Sequence, residues 1–521
     1  MHGMRYTVDM DVHRLSHRTP LPHIVRSLGV CLLLLMFTAA PSAGSQVDPI
    51  ESAIRQLQRA VERQPDGRHL GLLRSLRMLH DPALEPLFTR LSAHDDPLIS
   101  IHGLLGLAEI MPDRRVSPDG IRSLQTEEAR YDAIEQAIAL NLIGEAELRQ
   151  LLDGPSLGDV PDMLLMAQLK KLGGMRDVEP LRPMLDTDND LLRGLAASLL
   201  MELGTPEPFQ RFLQEMESMD EPTRERTSLW LIRDIARFDL RSHVPWIRAI
   251  VEEADPESTT AVLGVAALLV LDPAIGTRVW ETTMRRTQSQ LQRVRLALTL
   301  LDVMDTVPPP PQAPAVLRSG DPLLDGVAAL TDAVLQQRDP TEQMKALIDM
   351  DHWAVGLRTI NLAAVVRGVD RTAVYRHAIQ RLEVSTHRPA DRADLAIRSA
   401  KLLFTHDRES LREIVRESAP GSRQREVLLL ALLECNDPQA GEIGRTLRRI
   451  GFDRADSLLL VLFARYEPTL SEQELRALGV LVGGGGRLSD AHMVQAAWLY
   501  LKHQQRTTEA ITRLFVNPSP R

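Results

Sequence analysis

Two stretches constrain what this chain can fold into. Asp81 to Ile110 reads DPALEPLFTRLSAHDDPLISIHGLLGLAEI, and Asp177 to Gly204 reads DVEPLRPMLDTDNDLLRGLAASLLMELG. In the first, Leu84, Leu87, Phe88 and Leu91 fall at i, i+3, i+4 and i+7, one face of a helix. Asp95-Asp96-Pro97 then supplies a carboxylate cap and a proline at the first helical position, where its missing N–H costs nothing. Leu98, Ile101, Leu105 and Ala108 restart the period. In the second stretch Val178, Leu181 and Leu185 predict a first helix, Asp186 to Asp190 a turn, and Leu192, Leu195, Ala196, Leu199, Leu200 and Leu203 a second helix stopped by Gly204. The unit is helix, short turn, helix. Each helix carries one apolar face, too little to stand alone in water.

Looser copies follow. Val244, Ile247 and Val251 precede Val262, Val265, Ala266 and Leu269; Ile275 and Val279 precede Leu291, Val294, Leu298 and Leu301. Further on, Leu411, Ile414 and Val415 precede Val427, Leu430 and Ala431. Ile443, Leu447 and Ile450 precede Leu458, Leu459 and Leu462, and Leu475, Leu478 and Val482 precede Ala496, Leu499 and Leu501. The anchors Val178, Phe209, Val244 and Ile275 recur every 31 to 35 residues. Self-similarity at that period is the mark of a helical repeat array. The predicted fold class is all-α, an α-solenoid of stacked antiparallel helix pairs. An ordinary helical bundle, the competing architecture, would show no fixed period.

The spelling resembles a known family. Asp190-Leu-Leu-Arg-Gly-Leu-Ala-Ala-Ser-Leu-Leu-Met-Glu-Leu-Gly204 is similar to the second helix of a HEAT repeat, with its turn Asp, apolar-Arg pair, double Ala and terminal Leu-Gly. Val294-Arg295 with Ala297, and Asp96-Pro97 with Gly106, echo it. The short units resemble the HEAT subclass of bacterial and bilin-lyase-like proteins, over most of residues 50 to 305 and more weakly beyond. The resemblance implies a protein-interaction scaffold and assigns no catalytic residue.

Domain organisation follows from composition. Arg14, His17, Arg18 and Arg26 precede the apolar run Leu28 to Ala40 and a small-residue exit, the pattern of a secretory signal peptide over 1–45. The run is shorter than the roughly 20 residues a membrane span needs. An uncleaved anchor is the competing expectation. Residues 46–306 are read as an N-terminal helical-repeat lobe, 307–320 as a proline-rich linker or loop, 321–516 as a C-terminal lobe and 517–521 as a tail. Thr306 to Pro314, TVPPPPQAP, favours extended polyproline structure. It either separates two lobes or forms a long loop within one continuous array.

Charge narrows the partners. The chain carries net charge −9, and cleaving the leader removes four Arg and two Asp, leaving −11. An acidic, exported chain is repelled by phosphate backbones and anionic lipid, so neither nucleic acid nor a membrane span after cleavage is expected. With Cys31 in the leader, Cys435 is a single thiol, expected to be buried and inert at an apolar helix end.

Local motifs offer little chemistry. Asp186, Asp188 and Asp190 begin like a calcium loop, but Leu191 stands where Gly is needed and Ala197 where Glu is needed. His80, His94, Asp95, Asp96 and His102 share one repeat without the i, i+4 histidine pair of a helical zinc site. Asp351-His352-Trp353 reads as a helix start with a packed Trp. Gly483 to Gly486 lacks the Gly-Lys-Ser/Thr ending of a phosphate loop and reads as an inter-helix connection before a cap at Ser489-Asp490. No cofactor, no metal and no enzymatic activity are expected. The expected function is an exported scaffold holding a peptide or protein partner on the concave repeat surface. Arg193, Arg285, Arg286, Arg293 and Arg295 are the candidate partner-binding residues. A second basic stretch holds Arg445, Arg448, Arg449 and Arg454. The alternatives are a ligand-binding protein or enzyme with a pocket between the lobes, near His243 and His352, and a structural envelope component.

Overall fold

A computed structural model describes residues 48–516 apart from 112, 176, 305–310, 385–388, 438 and 448–452. The expected leader, the tail, Thr306 to Pro310, Arg448 and Arg449 lie outside the described residues. Among the described residues every regular element is a helix. The repeat grammar places helices where its apolar faces predict them. Val244–Glu253 precedes Thr259–Leu271, Pro273–Arg286 precedes Gln290–Val303, and Arg408–Glu417 precedes Arg423–Cys435. Ala440–Thr446 precedes Arg454–Tyr466, and Glu472–Val480 precedes Asp490–His503. Caps start them: Asp96, Ser258, Asp272, Ser422, Asp453 and Ser489 each accept a hydrogen bond from a backbone N–H of the first turn.

Two expectations, at residues 178–185 and at Trp353, need correction. Residues 178–185 form two 3₁₀ turns, Glu179–Leu181 and Pro183–Asp186, because Pro180 and Pro183 each remove a donor an α-helix would need. At the end of the proline-rich stretch, Ala313–Leu317 is a short helix with Ala313 and Leu317 fully buried. One apolar cluster includes Met304, Ala313, Leu317 and Leu324, on both sides of the proline-rich stretch. The glycine run connects two helices as expected, Leu481–Gly485 forming a π-helical turn that breaks at Gly484, φ 98°, before the cap at Ser489. Trp353 is not packed: it is 37% exposed, its indole N–H reaching Asp394 Oδ2 at 3.2 Å.

The second helices also bury more than one face. Leu428 to Leu433 and Leu458 to Ala464 are buried at every position, as are Gly194 to Leu200 and Met493 to Leu501. These helices pack against the first helix of their own unit and against second helices on both sides, so apolar residues are needed all round. The series of second helices, here the wall, runs Arg68–Arg77, Pro97–Ile110, Glu127–Ala139, Asp159–Lys171, Asp190–Glu202, Glu221–Arg237, Thr259–Leu271 and Gln290–Val303. It continues through Trp353–Ala363, Pro389–His406, Arg423–Cys435, Arg454–Tyr466 and Asp490–His503, each in contact with the next. Backbones come very close within a unit. A Cβ built on Gly103 would lie 2.2 Å from Ser92 N, so only glycine fits between Pro97–Ile110 and Glu85–Ser92.

The ends of the wall meet. Pro49–Val61 and Arg68–Arg77 both pack on Asp490–His503, which closes the array. The seam is polar and buried. Asp81 accepts from the Trp498 indole N–H at 3.0 Å and from Lys502 at 2.9 Å, while Gln495 Nε2 donates to Ser75 O at 2.8 Å. Arg465 donates to the carbonyls of Leu433, Met78 and Leu79 at 2.6, 2.6 and 2.9 Å and also to Asn436. Glu51 and Arg513 add a two-pronged pair at 2.7 Å.

Candidate interaction surface

The wall helices run in one direction. At their starts, Val160 N donates to Glu127 at 2.8 Å, the N–H groups of Gln288 and Ser289 donate to Glu257 at 2.7 and 3.0 Å, and Arg454 pairs with Glu426 at 2.5 Å. At their ends Arg77 pairs with Glu109 at 2.9 Å, Lys170 with Glu202 at 3.0 Å, and His503 Nε2 donates to Ala464 O at 2.7 Å. One rim of the wall therefore gathers helix N-termini and the other gathers C-termini.

The C-terminal rim is a sequence of left-handed stops. His80, Arg114, Asn141, Asp239, Asn436 and Gln505 have φ between 46° and 57°, and Gly173 and Gly204 stand at equivalent places. The chain then bonds back across the last turn: Leu142 N to Ala137 O, Gly174 N to Leu169 O and Thr205 N to Leu200 O, each 2.8 Å. The C-cap residues of three successive wall helices are Met111, Leu140 and Leu172. They are exposed by 41%, 41% and 48%. Leu203 and Phe238 hold the same place on the next two, where Leu203 is half-buried and Phe238 buried, so the exposed row ends there.

Several polar groups beside this row are engaged, while Arg114 is exposed with no side-chain hydrogen bond or ion pair among the described residues. Lys170 also donates to Asp239 O at 2.8 Å, Lys171 to Arg237 O at 2.6 Å, and Arg237 pairs with Glu135 at 3.1 Å. Burial would raise the Glu202 carboxyl, but hydrogen bonds from the Ser242 N–H and Lys170 outweigh it and hold the group below the usual range. Asp234, buried beneath this cluster, is pushed up to about 6 by desolvation, against the pull of Arg233 and Arg237. Burial also raises Asp132 and the Tyr131 phenol.

The five arginines singled out in the sequence all make polar contacts within the chain. Arg193 pairs with Asp190 at 2.5 Å and Glu215 at 3.5 Å. Arg285 reaches Gln312 at 2.9 Å and Arg293 reaches Val316 O at 3.2 Å, so both secure the segment around Ala313–Leu317. Arg286 donates to Glu252 O at 3.4 Å and Arg295 to Gln292 at 3.3 Å. The contacts of Arg193 lie apart from the segment that Arg285 and Arg293 secure.

The remaining motifs resolve as turns and core. Asn189, inside the aspartate string, caps Asp190–Glu202. His94 Nδ1 accepts from Asp96 N at 2.9 Å, and His102 lies beside Arg77 at 3.3 Å, its ring pushed down to about 3 by burial and by Arg77. Among the described residues no group of three or more His, Cys, Asp or Glu is placed to hold a metal ion. His243 is fully buried, donating to Ser198 O at 3.0 Å against the Phe209 ring, and His352 caps Trp353–Ala363. They do not converge on a pocket. Cys435 is half-buried and its thiol is pushed up to about 11 by burial, which keeps it protonated and unreactive.

No family model, no curated protein and no solved structure matches this chain. Sequence reasoning missed the C-cap row, although Leu140-Asn141 and Leu172-Gly173 carry its signal: an apolar residue directly before a residue that tolerates positive φ.

Proposed function

We propose that this chain is an exported protein-interaction scaffold: HEAT-like antiparallel helix pairs stack into a solenoid whose two ends meet, and a partner docks on its C-terminal rim. The observation that carries this is the trio Met111, Leu140 and Leu172, three large apolar residues exposed at the C-caps of three successive packed helices, Met111 with extended backbone and the other two still helical. Isolated exposed leucines are ordinary, but a regular row of them is a recognition feature. Packed helix axes lie about 8–10 Å apart. A polyproline-type peptide rises about 3.1 Å per residue with three residues per turn, so every third side chain recurs at about 9 Å. The partner is an extended segment with apolar residues at i, i+3 and i+6. Helical spacing fits less well, since i and i+4 neighbours lie only about 6 Å apart.

The concave wall is the less suitable contact surface where its helices are buried on every face, as at Leu428 to Leu433 and Leu458 to Ala464. Export rests on the basic start, apolar run and small-residue exit of residues 1–45. Two experiments test these points separately. A displayed library of extended peptides should select apolar residues at every third position, and Met111→Ser, Leu140→Ser and Leu172→Ser together should abolish that binding without altering the melting temperature. Equal selection by wild type and triple variant would defeat the rim as the docking site. The intact mass of the protein recovered from native cells should place its N-terminus near residue 44 to 46; a mass retaining the leader would defeat the cleavage.

A further inference from the structure

A polar cleft opens between Ala313–Leu317, Pro322–Leu335 and Thr341–Asp349. It has a volume of about 540 Å³ and is lined by Arg318, Asp325, Ala329, Asp332, Arg338 and Gln343. That is within the range of small-molecule sites, about 300–1,000 Å³. Its charges are balanced but not all paired with one another. Arg318 and Asp332 form an ion pair at 2.5 Å. Asp325 accepts the Ser319 N–H at 3.0 Å through Oδ1 only. Arg338, exposed just past the end of Pro322–Leu335, makes no side-chain hydrogen bond or ion pair among the described residues. Gln343 Oε1 is buried with no donor. A buried acceptor without a partner is costly and marks a place where a donor is missing.

We infer that this cleft binds a zwitterion of amino-acid or short-peptide size. The carboxylate of such a ligand pairs with the Arg338 guanidinium, which can grip both oxygens at once. Its ammonium pairs with the open oxygen of Asp325, and an N–H of the ligand satisfies Gln343 Oε1. The Arg318–Asp332 pair neutralises the remaining wall, so a singly charged ligand leaves either Arg338 or Asp325 unmatched. Free amino acids and peptides with two free ends present this chemistry alike. The cleft shares no residue with the C-cap row, so it stands or falls independently of the partner proposed for that rim.

Saturation-transfer NMR and titration calorimetry on the full chain test it, with each of the twenty L-amino acids and trialanine as probes. At least one probe should bind saturably at one site per chain, and an amino acid or trialanine as the preferred probe tells which source is meant. N-acetylation and C-terminal amidation of the binding probe should each weaken it by at least about tenfold, because each removes one of the two charges. Arg338→Gln and Asp325→Asn should weaken it similarly with an unchanged melting temperature, since the amide oxygen that Asp325→Asn introduces still accepts the Ser319 N–H. No saturable binding by any probe would overturn the proposal. So would binding that survives both blocking groups or both substitutions.

Discussion

Replacing Asp81 with alanine tests whether closure is an energetic feature of the fold or a contact between two otherwise independent ends. The carboxylate is 8% exposed and serves both sides of the seam. On its own side it caps Pro82–Leu84 through Ala83 N at 3.1 Å. Across the seam it accepts from the Trp498 indole N–H and from Lys502. Losing the cap costs about 1 kcal/mol. The Trp498 ring is fully buried, so its stranded N–H costs about 1–3 kcal/mol more. Lys502 is 41% exposed and can turn to water, so its lost pair adds at most about 1 kcal/mol. The expected loss is about 2–5 kcal/mol in urea denaturation. Asp220→Ala is the control: Asp220 caps Glu221–Arg237 on an exposed turn, its carboxylate bonded to Thr223 of that same turn, so the substitution should remove a cap and nothing across a seam. Amide exchange should rise in Asp81→Ala at both Arg68–Arg77 and Asp490–His503. If Asp81→Ala costs no more than Asp220→Ala, or loosens only residues 81–84, the two ends do not support each other.

Three further outcomes follow from buried groups and close approaches. His102, held to about 3 by burial and then by Arg77, binds fewer protons folded than unfolded, where its value is 6.5. Stability therefore falls as pH drops below about 6.5, and by pH 5 this histidine alone costs about 2 kcal/mol. His102→Gln should flatten the urea midpoint between pH 7 and pH 5, and an unchanged slope would exclude this origin. Asp234 acts with the opposite sign: raised from 3.8 to about 6 by burial, it holds a proton that the unfolded chain has released. Its contribution is lost as pH rises from about 4 to 6, a cost of up to about 3 kcal/mol at pH 7. Asp234→Asn should stabilise the protein at pH 7 by about 1–3 kcal/mol, and a destabilised variant would refute the desolvation argument. Gly103→Ala should destabilise by about 1–3 kcal/mol in the same denaturation assay despite the better helix propensity of alanine, because its Cβ would fall on the Ser92 backbone. Wild-type stability in that variant would mean the two helices are not that close.

Local order is legible because it is written locally. Asp96-Pro97 and Ser489 start helices where sequence reasoning puts starts, and the apolar faces after them mark real helices. The failures have two causes. Pro180 and Pro183 break a helix that hydrophobic period alone predicts, since periodicity reports which side chains face the core and says nothing of missing donors. Leu458 to Ala464 reads as a stripe plus extra leucines, and the extras have no meaning until the number of neighbours around the helix is known. Closure lies further out of reach. Asp81 and Trp498 are separated by more than four hundred positions, and nothing in the surroundings of either residue announces the other. Two arginines of the basic stretch, Arg285 and Arg293, converge on one short helix, a contact their spacing in sequence does not announce.

The direction of the wall helices explains why several cations at the C-terminal rim are spent on the protein's own backbone. Parallel helices side by side align their dipoles, which concentrates partial negative charge, and unpaired carbonyls, at one rim. Cations belong there, and the chain supplies them: Arg465 covers three carbonyls, while Lys170, Lys171 and His503 cover one each. At the other rim, side-chain oxygens of Asp96, Asp220, Ser258, Asp453 and Ser489 cover the free N–H groups. These cations are thereby committed to the protein's own backbone, and drawing one onto a partner would strand the carbonyls it serves, at about 1–3 kcal/mol for each that is buried. Met111, Leu140 and Leu172 carry no such obligation. Covering them removes apolar surface from water at about 25 cal/mol per Å² and breaks nothing. A partner that recognises this rim therefore gains most from shape and apolar spacing and least from salt bridges, so its affinity should vary little between low and high salt; a steep salt dependence would instead locate binding on Arg338 or another charged surface.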